Sequence, residues 1–302
     1  MNVVLINEDY LIENTSEYAV CLGRFDGVHK GHRELILKTV SYARENNLRS
    51  GAVTFIRNYE KDKIYPLDTQ MKIMEELGID TLFVIVFNEK FKNTSSDEFV
   101  EKYIIKYFKA KCVVCGFNFK FGKNREGSIE TLKEYDKYFT LFVIPPVYDD
   151  KEIVSSSLIK KLMAEGNIKR ANSLLGRKFE ITGVVSEGNK IGRTINFPTA
   201  NIIVESSQCE IKAGVYSSYT NIGKKKYLSI SNIGVAPTVR NGEKIILETN
   251  IMEYNEILYN KDITVSFVDF IRGEKKFKDI NDLKNTICCN IETAKEHFNN
   301  DF

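Results

Sequence analysis

The chain has 302 residues, about twice the length of a typical domain, so we expect two domains that each bury a core. Its 43 basic and 41 acidic side chains leave a net charge of +2 with no block of one sign, which does not indicate a nucleic-acid or membrane-surface partner. The sequence shows no signal peptide and no apolar run of the roughly 18 residues that cross a membrane, so we expect a cytoplasmic protein.

The first distinctive segment is a loop between a strand and a helix. Residues 18–22 are an apolar run, and helical spacing begins at residue 33. The glycines and histidines of the loop are Gly23, Gly27, Gly31, His29 and His32. Glycines and a helix N-terminus allow backbone N–H groups to approach an anion, and the histidines can stabilise charge on a phosphate. We interpret the loop as a phosphate site, with a structural turn or half of a metal site as alternatives.

Short apolar strands and helices alternate from this loop to residue 145. The further predicted strands are 51–55, 81–87, 111–116 and 140–145. This order predicts an α/β domain with a parallel sheet wound on both faces. Because ligands bind outside the carboxyl ends of such strands, we expect the first loop and the basic, aromatic loop 117–127 to face one site. Cys112 and Cys115, inside a strand, are predicted to be core thiols rather than a metal or redox pair.

A second helix start with phosphate-binding character follows the sheet. Ser155, Ser156 and Ser157 place hydroxyls at the start of this helix, and Lys160 lies one turn further on. An ordinary N-cap is the alternative. A helical connector that ends at Gly176 marks the domain boundary. We predict a first domain over 1–165, a connector over 166–178 and a second domain over 179–302.

The second domain is predicted to be all-β. Short alternating runs with glycine and asparagine between them indicate a small antiparallel barrel or sandwich. One closing helix carries an apolar face, with His297 beside it as an expected surface residue. The apolar positions of that face are Leu283, Ile287, Ile291, Ala294 and Phe298.

Residues 188–201 combine a cationic loop with fixed oxygen ligands. The loop residues that would approach or neutralise phosphates are Gly188, Lys190, Gly192 and Arg193. Thr199 and Asn201 offer neutral oxygens that suit Mg²⁺, with ATP oxygens completing its coordination. The alternative is a hairpin loop that enters a strand.

The loop Gly-Arg-Phe-Asp-Gly-Val-His-Lys-Gly-His at 23–32 resembles the nucleotidyltransferase loop of bacterial bifunctional riboflavin kinase/FAD synthetases. Pro-Thr-Ala-Asn at 198–201, with 232–238, resembles the riboflavin kinase signature of that family. The resemblance runs nearly end to end. It implies a Rossmann-like nucleotidyltransferase domain, then a small β-barrel kinase domain with a closing helix. The implied reactions convert riboflavin and ATP to FMN, then FMN and ATP to FAD and pyrophosphate, both with Mg²⁺.

The resemblance also implies roles for individual residues. Asn118 would lie near the flavin phosphate, and Glu248 would accept the proton of the ribityl hydroxyl. The residues that would cradle ATP for adenylyl transfer are Gly23, Phe25, Asp26, Gly27, His29 and His32, and those that would hold phosphates from the later helix are Ser156, Ser157 and Lys160.

The chain departs from the family pattern at three places. Ile-Arg-Asn-Tyr at 56–59 replaces a turn with proline and histidine, and Lys160 replaces an arginine, which exchanges bidentate phosphate recognition for a point charge. Asn196 replaces a glycine and tolerates positive φ. The altered turn at 57–59 and Lys160 leave a riboflavin kinase with weak adenylyl transfer as one alternative function. A non-catalytic flavin- or nucleotide-binding protein is a separate alternative.

Overall fold

The computed structural model describes residues 1–6, 15–56, 62–187, 197–204, 208, 210–238 and 242–299, with the backbone alone for 235–238 and 242–244. The chain forms two compact units, Met1–Ser156 and Ser157–Phe302. Within the described ranges, no helix has the length and apolarity needed to cross a membrane.

The first unit is built on a six-stranded parallel sheet. In chain order its strands are β1 (Asn2–Ile6), β2 (Tyr18–Leu22), β3 (Arg49–Ile56), β4 (Thr81–Val86), β5 (Ala110–Gly116) and β6 (Thr140–Ile144). Their order across the sheet is β1-β4-β3-β2-β5-β6, with every pair parallel. All five residues of the central strand β2 are buried, as expected for a sheet covered on both faces. The predicted α/β class is confirmed, but β1 at the sheet edge was not predicted.

Helices connect these strands. They are α1 (Lys30–Glu45), α2 (Leu67–Glu76), α3 (Glu89–Lys92), α4 (Ser96–Glu98) and α5 (Ile129–Lys133), with a π-helix at Phe99–Tyr107. Phe108 N donates to Tyr103 O at 2.8 Å, the i→i+5 bond of a π-turn. This winding keeps Phe99, Tyr103 and Phe108 all buried against the sheet. A short hairpin of two two-residue strands, β7 (Tyr148–Asp149) and β8 (Glu152–Ile153), lies near the end of the unit.

The second unit is a nearly closed antiparallel barrel. Its strands are β9 (Glu180–Val184), β10 (Thr199–Ile203), β11 (Gly214–Ile222), β12 (Lys225–Thr238), β13 (Gly242–Ile251) and β14 (Asp262–Arg272), in the order β10-β13-β12-β11-β14-β9. A bridge between Ser186 and Asn201 joins the two ends of this sheet. The predicted barrel is therefore confirmed.

Among its described residues, this half of the chain also contains the helices α6 (Ser156–Glu165), α7 (Ile168–Leu175) and α8 (Ile280–Asn299). Asn172 of α7 donates from Nδ2 to the carbonyl of Phe267 on β14 at 2.8 Å. Ala294 and Phe298 of α8 are buried against the barrel. His297, predicted to lie at the surface, is partly exposed, and its Nδ1 lies 2.9 Å from the buried Ser217 Oγ.

Candidate active sites

The loop after β2 turns sharply before α1. Residues Asp26–Val28 form a 3₁₀ turn, and α1 begins at Lys30 with His29 as its N-cap, whose Nδ1 accepts the N–H of His32 at 3.3 Å. Phe25, Gly27 and Val28 have φ of 50°, 79° and 41°. A left-handed conformation costs a non-glycine residue on the order of 1–3 kcal/mol, so surrounding contacts must hold this turn.

The two histidines lie together at the start of α1. Their rings stack with centroids 3.7 Å apart and planes 18° apart. A Cβ on Gly31 would lie 3.2 Å from the His29 ring, so the glycine leaves room for this stack. The ring of Phe25 is fully buried, with its centroid 5.4 Å from that of His32. The imidazoles therefore lie at the N-terminus of α1, the positive end of the helix dipole, which is an arrangement that favours an anion.

Two predicted ATP-binding residues, Phe25 and Asp26, make contacts within the first unit. The buried Phe25 ring packs beside His32, and a Cβ on Gly23 would lie 3.3 Å from that ring. Asp26 is half-buried and accepts the N–H of Ile64 on Oδ1 at 2.8 Å. The Asp26 carbonyl also accepts the hydroxyl of Ser156 at 2.8 Å. The contacts of Gly23 and His32 with Phe25 bring these predicted loop residues together.

A cavity of about 690 Å³ adjoins this loop in the first unit. Its lining includes the polar loop and helix-start residues Gly23, Gly31, His29, His32, Asn118 and Ser156. Six phenylalanines whose rings contact one another form an aromatic wall of the same cavity: Phe55, Phe87, Phe91, Phe99, Phe119 and Phe121. The expectation that the first loop and loop 117–127 face one site is confirmed. The aromatic wall was not predicted as a site, because phenylalanines in strands and helices have the same sequence pattern as core residues.

The remaining predicted phosphate residues lie on α6. Ser156 is its first residue, and Ser157 is exposed. Lys160 lies one turn further along the helix and is half-buried. Ser157 and Lys160 belong to the second unit.

In the barrel, the predicted metal ligands and the predicted base occupy one face. Thr199 and Asn201 are two residues apart on β10, so their side chains point to the same side. Glu248 on β13 lies directly opposite Asn201, and Asn232 on β12 lies directly opposite Glu248. Burial raises the pKa of the Glu248 carboxyl above its ordinary value. The carboxylate is therefore a stronger proton acceptor than one in water.

The opposite face of these strands carries a buried cluster of hydroxyls inside the barrel. Its members are Ser218, Thr220, Ser229, Ser231 and Thr249, and none of them is exposed to solvent. Ser231 Oγ lies 2.7 Å from Ser218 Oγ and donates to Thr249 Oγ1 at 2.8 Å. This cluster was not predicted, although serine and threonine at alternating strand positions are its signal in the sequence.

A second cavity, of about 540 Å³, lies beside Thr199. Its wall includes Pro198, Tyr254, Ile257 and Tyr259. The Asn250 side chain donates to the Pro198 carbonyl at 2.7 Å, which holds the residue before Thr199 beside β13. This aromatic wall was not predicted.

Several predicted residues lie outside the described part of the chain. These are the cationic loop residues Gly188, Lys190, Gly192 and Arg193, together with Asn196 and Arg57–Tyr59.

Comparison with known proteins covers both halves of the chain. The family described as FAD synthetase matches residues 11–158, and the family described as riboflavin kinase matches residues 175–298. A protein of Buchnera aphidicola named bifunctional riboflavin kinase/FMN adenylyltransferase is 34% identical, covering 94% of this chain and 95% of the relative. A Bacillus subtilis protein of the same name is 32% identical, covering 95% of both.

A solved structure also matches along the chain. It is a Streptococcus pneumoniae protein, described as a macrolide-efflux protein, at 30% identity and a TM-score of 0.89. The match covers 98% of this chain and 99% of the other.

Proposed function

Because the chain belongs to the family of bifunctional riboflavin kinases/FMN adenylyltransferases, we propose which of its residues carry each of the two reactions. The chain phosphorylates riboflavin with ATP to give FMN and then adenylylates FMN to FAD. Its small-molecule partners are riboflavin, FMN and ATP. The domain division proposed with these activities is adenylyltransferase over 1–165, connector over 166–178 and kinase over 179–302.

The first unit is proposed to carry adenylyl transfer. An oxygen of the FMN phosphate attacks the α-phosphorus of ATP, and pyrophosphate leaves. His29, His32 and the N-terminus of α1 neutralise the negative charge that develops in this step. Gly23, which lines the cavity, lets the backbone approach the phosphates, whereas Gly27 packs against Ile64 and shapes the turn. Ser156, Ser157 and Lys160 are proposed to hold phosphate oxygens from the start of α6.

The flavin is proposed to lie against the aromatic wall of the 690 Å³ cavity. Phe55, Phe91 and Phe119 supply apolar surface for a flat ring system there. Asn118 lines the same cavity and is proposed to contact the flavin phosphate. The single observation that carries the assignment is that one cavity joins the phosphate-type loop to an aromatic wall.

The barrel is proposed to carry riboflavin phosphorylation. Glu248 accepts the proton of the terminal ribityl hydroxyl, whose oxygen attacks the γ-phosphorus while ADP leaves. The 540 Å³ cavity, with Tyr254 and Tyr259, supplies apolar surface beside Thr199 for the flat ring of a substrate. Gly188, Lys190, Gly192 and Arg193 are proposed to contact the ATP phosphates.

A magnesium ion is proposed at Thr199 and Asn201. These residues offer neutral oxygens from one face of β10, opposite Glu248, and such oxygens suit Mg²⁺ when nucleotide phosphates complete its coordination. Bound there, Mg²⁺ would neutralise charge on the transferring phosphoryl group. We also propose the cytoplasm as the site of action, where ATP is available.

One assay tests these assignments. Purified protein is incubated with riboflavin, ATP and Mg²⁺, and the flavins are separated by chromatography. FMN and FAD together support both assignments, FMN alone supports a kinase with weak adenylyl transfer, and unchanged riboflavin contradicts both. Chelation of Mg²⁺ is expected to stop both reactions.

Single-site variants separate the two active sites. Glu248→Gln should lower FMN formation by about 10²–10⁴-fold, because a carboxamide cannot accept the proton, yet leave FMN-to-FAD conversion intact. His29→Ala combined with His32→Ala should stop FAD formation and preserve FMN formation. Loss of both activities in a folded variant would contradict two separate sites.

A further inference from the structure

The carboxylate of Asp26 points away from the cavity, toward the segment that precedes α2. Its Oδ1 accepts the N–H of Ile64 at 2.8 Å. The carbonyl of the same residue accepts the hydroxyl of Ser156 at 2.8 Å. One residue of the loop therefore links it to two segments that are 38 and 130 positions away in sequence.

The turn that contains Asp26 needs such links. Phe25 before it and Val28 after it both have left-handed φ, a conformation that neither residue type favours. Ile64 is fully buried, and a Cβ on Gly27 would lie 2.7 Å from its Cδ1. Ile64 thus packs directly on the turn while its N–H holds Asp26. Backbone strain of this kind persists only where the surroundings over-determine the conformation.

Electrostatics also favours a carboxylate that points away from the phosphate site. A negative side chain aimed at a polyphosphate would repel it, whereas one that accepts a backbone N–H is stabilised away from the ligand. His29 follows Asp26 by three residues, so the position of the turn determines where the stacked imidazoles lie.

We propose that Asp26 is a positioning residue for adenylyl transfer: by binding the Ile64 N–H it fixes the turn that presents His29 and His32, and its carboxylate is not an ATP ligand. This inference rests on the proposed role of the two histidines. A misplacement of about 1 Å in a positioned group costs on the order of 100-fold in rate, which sets the size of the expected effect.

The test compares Asp26→Ala with Asp26→Asn. Alanine removes the acceptor, whereas asparagine keeps an Oδ1 that can accept the Ile64 N–H. Asp26→Ala should lower kcat for FMN adenylylation about 100-fold with little change in KM for ATP, while Asp26→Asn should stay within about fivefold of wild type. Asp68→Ala removes the same charge at an exposed position at the start of α2, and its kcat and KM should match those of the wild type. A wild-type calorimetric transition of the first unit verifies that each variant is folded there, and riboflavin phosphorylation in the same samples verifies the second unit.

Three kinetic results would overturn the proposal. These are wild-type kcat in Asp26→Ala, an equal loss in Asp26→Asn and Asp26→Ala, or a loss confined to KM for ATP. The last two would mean that the charge itself contacts the nucleotide.

Hydrogen exchange provides a readout that does not depend on catalysis. In the nucleotide-free protein, the Ile64 amide should exchange faster in Asp26→Ala and at the wild-type rate in Asp26→Asn. Unchanged exchange in Asp26→Ala would refute the link. If wild-type protein made no FAD, the proposed adenylyl transfer would fail, and this exchange measurement would still decide whether Asp26 holds the turn. If Asp26→Ala did not fold, retained activity and retained Ile64 protection in Asp26→Asn would support the proposal, and loss of either would overturn it.

Discussion

Replacing Gly27 by alanine should destabilise the first unit through two effects that the structure separates. The backbone at Gly27 has a φ of +79°, and a Cβ there would lie 2.7 Å from Ile64 Cδ1, with two further Ile64 atoms at 3.3 Å. The left-handed conformation costs alanine about 1–2 kcal/mol. Overpacking a filled site adds about 1–3 kcal/mol. The expected loss of unfolding free energy is therefore about 2–5 kcal/mol.

The effect should be visible in calorimetry and in the flavin assay. For a unit of this size each kcal/mol lowers Tm by about 2–4 °C, so the transition of the first unit should fall by roughly 4–20 °C. FAD formation should fall with it, because the turn positions His29 and His32, while FMN formation should persist.

Gly223→Ala is the matched control. Gly223 also has a positive φ, +58°, but a Cβ there would have no atom within 4 Å. Gly223→Ala should lower the unfolding free energy of the second unit by about 1–2 kcal/mol, the cost of the left-handed conformation alone. Wild-type Tm and wild-type FAD formation in Gly27→Ala would refute this reasoning, and equal losses in the two variants would show that the contact with Ile64 contributes nothing.

Two further predictions concern thiols and the barrel interior. Burial raises the pKa of three cysteines to about 12, so in native protein at mildly alkaline pH they stay protonated and should resist iodoacetamide, whereas the exposed pair should react. The protected thiols are Cys21, Cys112 and Cys115, and the reactive ones are Cys288 and Cys289. Mass spectrometry of the labelled peptides checks this, and equal labelling of both groups would contradict it. Ser231→Ala should lower the unfolding free energy in urea by about 1–3 kcal/mol, because Ser218 and Thr249 lose a buried partner. Thr293→Ala, at a partly exposed position of α8, should change the unfolding free energy by less than about 0.5 kcal/mol. Equal effects of the two variants would be inconsistent with a stabilising hydroxyl cluster.

Local sequence determined the elements and the chemistry of the first loop. The strand at 18–22 and α1 were predictable because their apolar spacing repeats within a few residues. The glycines and histidines between them were sufficient for an anion site, since a helix N-terminus supplies its donors locally. The edge strand β1 was not predicted. Its Val3 and Leu5 remain exposed, so the strand lacks the pattern of buried residues that identifies the central strands.

Tertiary structure decided which predicted residues meet and where they point. The direction of the Asp26 carboxylate depends on Ile64, 38 residues away, and no local pattern encodes that contact. The alignment of Asn201, Glu248 and Asn232 depends on the register of three strands. A slip of one residue would send Glu248 to the barrel interior and Thr249 to its outer face. Hydrophobic periodicity is a short-range property of the chain, whereas register and long-range hydrogen bonds are fixed only when the core packs.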